Sequence, residues 1–173
     1  MKRETILLNC PKFLLILLLI IPFPSLSNSL FQKIDLKLNK NIILNDENNI
    51  EKKLINILDF NSKYVVNFWA TWCIPCKKEL PDLNKMKIEN KDLKVIIISI
   101  DKKPINDQLN FLKKNKVNEL TAYFDQNMTF FKSLKLRGIP TTLLINQQKI
   151  VAKKEGIFSY NKVSLEQINN FFN

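Results

Sequence analysis

Histidine is absent from this chain of 173 residues, and glycine occurs only twice. The absence of histidine excludes Ser-His-Asp and Cys-His hydrolases, haem ligated by histidine, and zinc or copper sites that contain a histidine ligand. Gly138 and Gly156 lie far apart, which excludes the Gly-rich phosphate-binding loops, because those loops need glycines close together. The chemistry that remains is that of cysteine, lysine or carboxylate side chains.

Arginine is also scarce: only two of the 27 basic residues are Arg, and they stand against 16 acidic residues. The lysines are scattered singly or in pairs along the chain, whereas a nucleic-acid-binding protein usually clusters its basic residues on one face and includes Arg to bind phosphates. We therefore expect a solvated lysine-rich surface and no nucleic-acid partner. The length fits one domain, and an apolar fraction of 46% is enough for a large core.

The start of the chain has the pattern of a targeting segment. Lys2 and Arg3 precede an unbroken apolar run, Phe13–Ile21, and Ser25–Ser27 supplies small residues at a candidate cleavage site. The run is shorter than the roughly 20 residues that span a membrane, and the order of the three parts is that of a secretory signal. Residues 1–27 are therefore predicted to be either a cleaved signal peptide or a retained membrane anchor, and both place the remainder outside the cytoplasm.

The remainder divides into a lead-in, residues 28–60, and a domain, residues 61–173. The lead-in predicts a short strand and an irregular or partly helical stretch. In the domain, apolar and β-branched runs predict five strands: Tyr64–Ala70, Lys94–Ile100, Leu120–Phe124, Thr141–Ile145 and Lys149–Lys154. Helical spacing predicts four helices between and after them, over 73–90, 105–116, about 128–134, and from a capping box of Ser164 with Gln167 onward. This alternation predicts an α/β sandwich around a mixed sheet.

Cys73 and Cys76 form a Cys-Ile-Pro-Cys motif directly after the first predicted strand of the domain, at the start of a helix. The unpaired N–H groups and the positive end of a helix lower the pKa of a thiol there, and the thiolate is the nucleophilic form. Cys76 lies three residues further along the same side, where it can close a disulfide with Cys73. The motif therefore indicates thiol–disulfide redox chemistry.

Other uses of the two cysteines are less well supported. A stapling disulfide would close a very small loop and add little stability. A tetrahedral zinc site needs two more ligands, and a c-type haem needs His where Lys77 stands. A Cu(I) ion held by the two thiolates stays open as an alternative.

The segment Phe68–Pro81, which reads Phe-Trp-Ala-Thr-Trp-Cys-Ile-Pro-Cys-Lys-Lys-Glu-Leu-Pro, closely resembles the active-site segment of thioredoxin-like thiol–disulfide oxidoreductases. It is most similar to their exported TlpA/ResA branch. A second match is Arg137–Thr141, and the likeness covers about residues 61–173. The resemblance implies a thioredoxin-like three-layer sandwich with a mixed central sheet. It also implies a cis Pro140 against the cysteines.

Two residues favour the TlpA/ResA branch over cytoplasmic thioredoxin. Asn67 stands where thioredoxin has a buried Asp beneath the cysteines, and Glu79 matches a carboxylate of the branch. Glu79 lies one helical turn past Cys76 and so within reach of it. A partly buried Glu79 could exchange a proton with Cys76 and raise the pKa of the thiols. The alternative is an exposed Glu paired with Lys or with the start of the helix.

The resemblance implies an exported reductant of selected protein disulfides, for example in apocytochromes or oxidase-assembly proteins. Cys73 would attack, Cys76 would resolve the mixed disulfide, and a membrane thiol carrier would supply the electrons. Trp72, Ile139 and Pro140 are the candidate substrate-binding residues, and no cofactor or metal is expected beyond the redox-active disulfide. The alternatives are a net oxidase or isomerase on the same fold and a Cu(I) carrier.

The targeting pattern makes a prediction that can be checked directly. A reporter fused after Asn173 should be active outside the cytoplasm, because the basic, apolar and small-residue parts direct export. Mass spectrometry should find a mature N-terminus near Asn28 or an intact anchor. A soluble cytoplasmic protein that retains Met1 would contradict the export prediction.

Overall fold

A computed structural model describes residues 29–173 of the chain. The predicted signal or anchor, residues 1–27, lies outside the described residues. Among the residues that are described, no helix is both long enough and apolar enough to cross a membrane.

The described residues form one eight-stranded mixed sheet and five helices. The strands are β1 Gln32–Lys37, β2 Ile43–Asn45, β3 Glu51–Lys53, β4 Lys63–Trp69, β5 Leu93–Ser99, β6 Thr121–Phe124, β7 Thr141–Asn146 and β8 Lys149–Glu155. The helices are α1 Leu54–Ile57, α2 Ile74–Glu89, α3 Ile105–Lys114, α4 Thr129–Ser133 and α5 Lys162–Phe172. The strand order is β1-β8-β7-β4-β5-β6-β2-β3. Only the β4–β5 and β5–β6 pairs are parallel, which confirms the predicted α/β class with a mixed sheet.

The central strand β4 is covered on both faces. Its residues from Tyr64 to Trp69 are all buried, as expected for an apolar run in the middle of a sheet with helices on both sides. Phe68 packs against Phe130 of α4, with ring centroids 5.4 Å apart. The neighbouring residue, Asn67, points to the opposite face and bonds to α2. The residue alternation of a strand thus separates the α4 side from the α2 side.

The lead-in contains more strand than its sequence predicts. Its three strands belong to the same sheet as the rest of the chain: β1 pairs with β8, and β2 pairs with both β3 and β6. The strand β3 is Glu-Lys-Lys and fully exposed, so it has no apolar pattern for a sequence analysis to detect. Pairing with neighbouring strands, and not residue preference, creates these short edge strands.

The predicted capping box of Ser164 with Gln167 is wrong. Asn161 is the N-cap of α5, its Oδ1 accepts a hydrogen bond from the backbone N–H of Ser164, and the hydroxyl oxygen of Ser164 accepts one from the backbone N–H of Asn161, both at 2.9 Å. Ser164 therefore occupies the third helical position, and its hydroxyl accepts the hydrogen bond from the N-cap backbone that a Glu or Gln side chain usually accepts there. Gln167 instead accepts a bond from the backbone N–H of Leu30.

Candidate active site

The two cysteines lie where β4 passes into α2. Cys73 is the N-cap of α2, and its sulfur accepts a hydrogen bond from the backbone N–H of Cys76 at 3.2 Å. Pro75 occupies the first turn, where a missing N–H costs the helix no bond. Cys73 and Cys76 form a disulfide with their Cα atoms 5.3 Å apart. The sulfur atoms therefore lie against the unpaired donors and positive end of a 16-residue helix, which favours the thiolate when the bond is reduced.

The two cysteines differ in access to solvent. Cys73 is 4% exposed, whereas Cys76 is fully buried. The side chains on either side of Cys73 are exposed and apolar: Trp72 is 60% exposed and Ile74 is 66% exposed. A partner approaching this edge would meet a small apolar surface around Cys73 and would reach that sulfur before the sulfur of Cys76. By contrast, Trp69 is buried and stacks on Phe111.

Glu79 is buried beneath this surface with only 1% of it exposed, so the alternative of an exposed Glu is wrong. One carboxylate oxygen accepts a hydrogen bond from the Asn67 side-chain amide and the other accepts one from the backbone N–H of Phe158, both at 2.6 Å. Burial raises the pKa of Glu79 to about 7, although these two hydrogen bonds and the charge of Lys154 act in the opposite direction. The carboxyl group can therefore gain or lose a proton near neutral pH.

Pro140 comes to the same edge of the sheet through strand pairing. Thr141, at the start of β7, lies opposite Phe68 near the end of β4. The Ile139–Pro140 peptide bond is cis, Pro140 is buried and Ile139 is half-buried. The carbonyl oxygen of Pro140 accepts a bond from the N–H of Gly156 at 2.9 Å. Pro140 is thus held between the start of β7 and the segment that leads from β8 towards α5.

Asp101 is a further residue of this edge that the sequence analysis missed. It follows β5, it is buried, and its carboxylate accepts bonds from both the backbone N–H and the hydroxyl of Thr71. Burial alone would raise the pKa of Asp101, but hydrogen bonds from Thr71 and the N–H of Lys103 lower it below its ordinary value. A charged Asp101 therefore anchors the loop that carries Trp72 and Cys73. Its position directly after an apolar parallel strand was a usable signal, because sites gather at that end of such sheets.

Phe158 was also missed, and here the sequence carries no signal. The group that contacts Glu79 is the backbone N–H of Phe158, which every residue except proline possesses. Only the path of the chain after Gly156 places it there. Gly156 has φ +82°, a left-handed backbone conformation that glycine adopts without strain.

No three side chains of His, Cys, Asp or Glu within residues 29–173 lie together as a metal site. A Cu(I) ion at the active-site edge would accordingly draw its protein ligands from the sulfur atoms of Cys73 and Cys76. In the disulfide-bonded state seen here, neither sulfur is the thiolate that such a metal needs.

Comparison with known proteins finds a family model and several relatives that are similar to this chain. A family model described as Redoxin matches residues 32–167. Thiol-disulfide oxidoreductase ResA of Bacillus subtilis (strain 168) is 33% identical over 116 residues, which cover 65% of this chain and 62% of that protein. ResA of Bacillus thuringiensis subsp. konkukian (strain 97-27) is 33% identical over 113 residues, which cover 62% of this chain and 63% of that protein.

The chain thus spans less than two thirds of the length of the ResA proteins that it matches. Among solved structures, a protein from Chlorobium tepidum described as a thiol:disulfide interchange protein of the DsbE type superposes with a TM-score of 0.68. It is 25% identical, and the match covers 82% of this chain and 100% of that chain. These similarities confirm the thioredoxin-like fold and the resemblance to the ResA branch.

The buried carboxyl of Glu79 predicts a pH-dependent stability. Its pKa is about 7 in the folded protein against an ordinary value of 4.5, so between these two pH values the folded state holds a proton that the unfolded state has lost. Its contribution is fully present below pH 4.5 and is lost as pH rises to about 7. Relative to Glu79→Gln, the oxidised wild-type protein should lose up to about 3 kcal/mol of unfolding free energy between pH 4.5 and pH 8, measured by urea unfolding.

The matched control for this measurement is Glu89→Gln at the exposed end of the same helix. That variant should track the wild-type protein at both pH values, because an exposed carboxyl is screened by water. A difference between wild type and Glu79→Gln that stays the same at pH 4.5 and pH 8 would contradict the raised pKa.

Proposed function

This chain belongs to the Redoxin family, and from that premise we propose that it is an exported thiol–disulfide oxidoreductase that reduces selected protein disulfides. The observation that carries the proposal is a disulfide at a helix start whose first cysteine is 4% exposed and whose second is fully buried, with a buried carboxyl one helical turn away. The three groups are a nucleophile, a resolving thiol and a proton acceptor. The cycle needs no cofactor besides the Cys73–Cys76 disulfide.

In the reduced protein the Cys73 thiolate attacks one sulfur of the substrate disulfide. A bond forms between Cys73 and that sulfur, and the other substrate sulfur leaves as a thiolate and takes a proton. Cys76 then loses its proton and attacks the sulfur of Cys73. This step closes the Cys73–Cys76 disulfide and releases the second substrate sulfur as a thiolate, which takes a proton. Two electrons pass from the protein to its substrate, and the two protons that the substrate gains balance the one that Cys73 released on ionising and the one that Cys76 released.

Glu79 is the acceptor for the proton of Cys76 in this scheme. It lies one helical turn further along α2, on the same side, and a pKa of about 7 matches a base that works at neutral pH. A carboxylate buried at this depth also disfavours a second negative charge nearby. The charge of Glu79 and the charge of the Cys73 thiolate therefore both oppose thiolate formation by Cys76. The second of these charges disappears when Cys73 forms the mixed disulfide, and Cys76 can then ionise more easily.

The exposed apolar side chains around Cys73 form the docking surface for the substrate. Trp72 supplies a large exposed ring, and the half-buried Ile139 and the buried Pro140 reach the same edge of the sheet, where they lie directly before β7. Apolar side chains beside the attacking sulfur favour a partner that presents its disulfide on an exposed apolar segment. A folded protein with a buried disulfide would not fit this surface.

Export and the reductive direction complete the proposal. Residues 1–27 act as a signal peptide or as an anchor to the outer face of the membrane, as their sequence pattern predicts. The substrates are disulfides of apocytochromes or oxidase-assembly proteins. Because an oxidising compartment does not supply electrons, a membrane thiol carrier reduces the Cys73–Cys76 disulfide after each turnover.

The variants Cys73→Ala and Cys76→Ala should differ in whether they trap partners as mixed disulfides. With Cys76→Ala, Cys73 should trap partners as mixed disulfides, because the resolving thiol is missing. With Cys73→Ala, trapping should largely vanish, because Cys76 is buried. Non-reducing gels measure both, and the double variant, in which Cys10 is the one cysteine left in the sequence, serves as the control. Equal trapping by the two single variants would contradict the assignment of the nucleophile.

The reduction potential decides between a reductant and a net oxidase or isomerase. A reductant should titrate near the value of about −270 mV that is typical of thioredoxin, whereas a strong oxidant lies near about −120 mV. The measurement equilibrates the Cys73–Cys76 pair in glutathione and dithiothreitol buffers and counts free thiols. A potential at the oxidising end would overturn the reductive direction while leaving the thiol–disulfide exchange reaction intact.

A further inference from the structure

Asn67 is a polar side chain in the middle of the otherwise apolar strand β4, and it is fully buried. Both hydrogens of its amide nitrogen are donated. One goes to the carboxylate of Glu79 at 2.6 Å and the other to the hydroxyl oxygen of Thr142, on β7, at 3.0 Å. Asn67 therefore connects the carboxyl group to the two central strands beneath the cysteines.

The carbonyl oxygen of the same amide has no hydrogen-bond partner among the described residues. Buried polar atoms are rarely left unpaired, because losing the bond to water without replacement is costly. Two other buried side-chain atoms share this condition in residues 29–173: Nε1 of Trp69 and Oε1 of Gln108. Neither of them belongs to a side chain that hydrogen-bonds to Glu79. The side chain that bonds to the Glu79 carboxyl thus also has an unused hydrogen-bond acceptor, the carbonyl oxygen of Asn67.

The carbonyl oxygen of Asn67 can accept a hydrogen bond from Glu79 when Glu79 takes up a proton. A carboxylate only accepts hydrogen bonds, whereas a carboxylic acid also has one O–H to donate. The second partner of Glu79, the N–H of Phe158, is a donor and cannot accept that proton. A half-turn of the Asn67 amide about its Cβ–Cγ bond exchanges its nitrogen and oxygen. The oxygen then faces Glu79 as an acceptor, and the nitrogen with its two N–H groups moves to the place of the unpaired oxygen. The hydroxyl of Thr142 can rotate and donate to the same oxygen.

We propose that Asn67 is a positioning residue for Glu79 that serves both of its protonation states, donating to the carboxylate in one amide orientation and accepting from the carboxylic acid in the other. No covalent step is added: the proton stays on Glu79, and only the direction of the hydrogen bond reverses. The use of this switch in catalysis rests on the proposed function, in which Glu79 accepts the proton of Cys76. The switch itself is a property of the oxidised protein.

The charged groups that face Glu79 shift the balance between its carboxylate and carboxylic acid forms. Lys154 of β8 favours the carboxylate, and Asp82 of α2 favours the acid. Asn67 and Thr142 are the neutral groups that β4 and β7 contribute. Because the pKa of Glu79 is about 7, both protonation states are populated at neutral pH. A fixed donor at position 67 would serve only one of them.

The test follows the titration of Glu79 in the oxidised full-length protein by NMR of the ¹³C-labelled Glu side-chain carboxyl. Asn67→Leu removes the hydrogen-bond partner of both protonation states without a large change of volume. Because the bond to the charged carboxylate is the stronger of the two, the midpoint of the Glu79 titration should rise, by about half a pH unit. The matched control is Gln108→Leu, which removes another buried amide with an unpaired oxygen. Gln108 donates to the backbone oxygens of Asp101 and Lys103, so that variant should leave the midpoint unchanged.

The reversal of the hydrogen bond is tested on the Asn67 side-chain amide itself. In wild-type protein its ¹⁵N–¹H₂ signals should move with the same midpoint as the Glu79 carboxyl. In Glu79→Gln, whose amide can donate to Asn67 at every pH, the signals should stay near their low-pH wild-type positions. Amide signals that do not follow the Glu79 titration would overturn the switch.

A second variant keeps the inference testable if Asn67→Leu does not fold. Asn67→Asp places two carboxyl groups together, and they should titrate as a coupled pair in two separated steps. Two independent titrations near ordinary values would overturn the inference. These measurements use no substrate, so a loss of the proposed activity would leave them standing. Conversely, a failure here would leave the cysteine chemistry untouched.

Discussion

The burial of one carboxyl group, that of Glu79, is the constraint on which the active-site region depends. Removing a carboxylate from water is unfavourable unless hydrogen bonds replace the lost hydration. Here the replacements come from the side chain of Asn67 on β4 and the backbone of Phe158 after β8. One turn further along α2, the carboxylate of Asp82 accepts a bond from the N–H of Tyr160 at 3.0 Å. Two acidic residues of one helix thereby tie the central strand and the segment leading to α5 to the helix that carries the cysteines.

A separate set of bonds holds the loop on the other side of the disulfide. The carboxylate of Asp101 bonds to Thr71, and the N–H of Cys73 bonds to the carbonyl oxygen of Ala70 at 3.1 Å. Cys73 is therefore fixed by its own backbone and by the helix that it caps, while the exposed side chains beside it remain available to a partner. Rigid support under a small apolar surface suits a reaction in which the sulfur atoms must align before exchange.

Sequence patterns predicted the elements that depend on their own residues. The apolar run from Tyr64 predicted β4, and the helical spacing of Leu80, Leu83 and Met86 predicted α2, whose buried face they form. The β7–β8 hairpin followed from two apolar runs across a tight turn. The short edge strands of the lead-in did not follow, because strands of three residues owe their existence to their neighbours. The N-cap of α5 was missed because Ser can close a capping box from either of its two positions.

The amino-acid sequence by itself determined which side chains are the candidates for reactive chemistry in this protein. Without histidine and without clustered glycines, two cysteines at a strand–helix junction were enough to predict thiol–disulfide chemistry, since that prediction needs only residue identity and short spacing. The environment of Glu79 was decided by the tertiary structure alone. Its two hydrogen-bond partners lie 12 and 79 residues away, and the partner of Asn67 on β7 lies 75 residues from it. Desolvation and long-range hydrogen bonds arise only when distant segments pack together. Here desolvation raises the pKa of a helical Glu to about 7, against the opposing effect of its two hydrogen bonds.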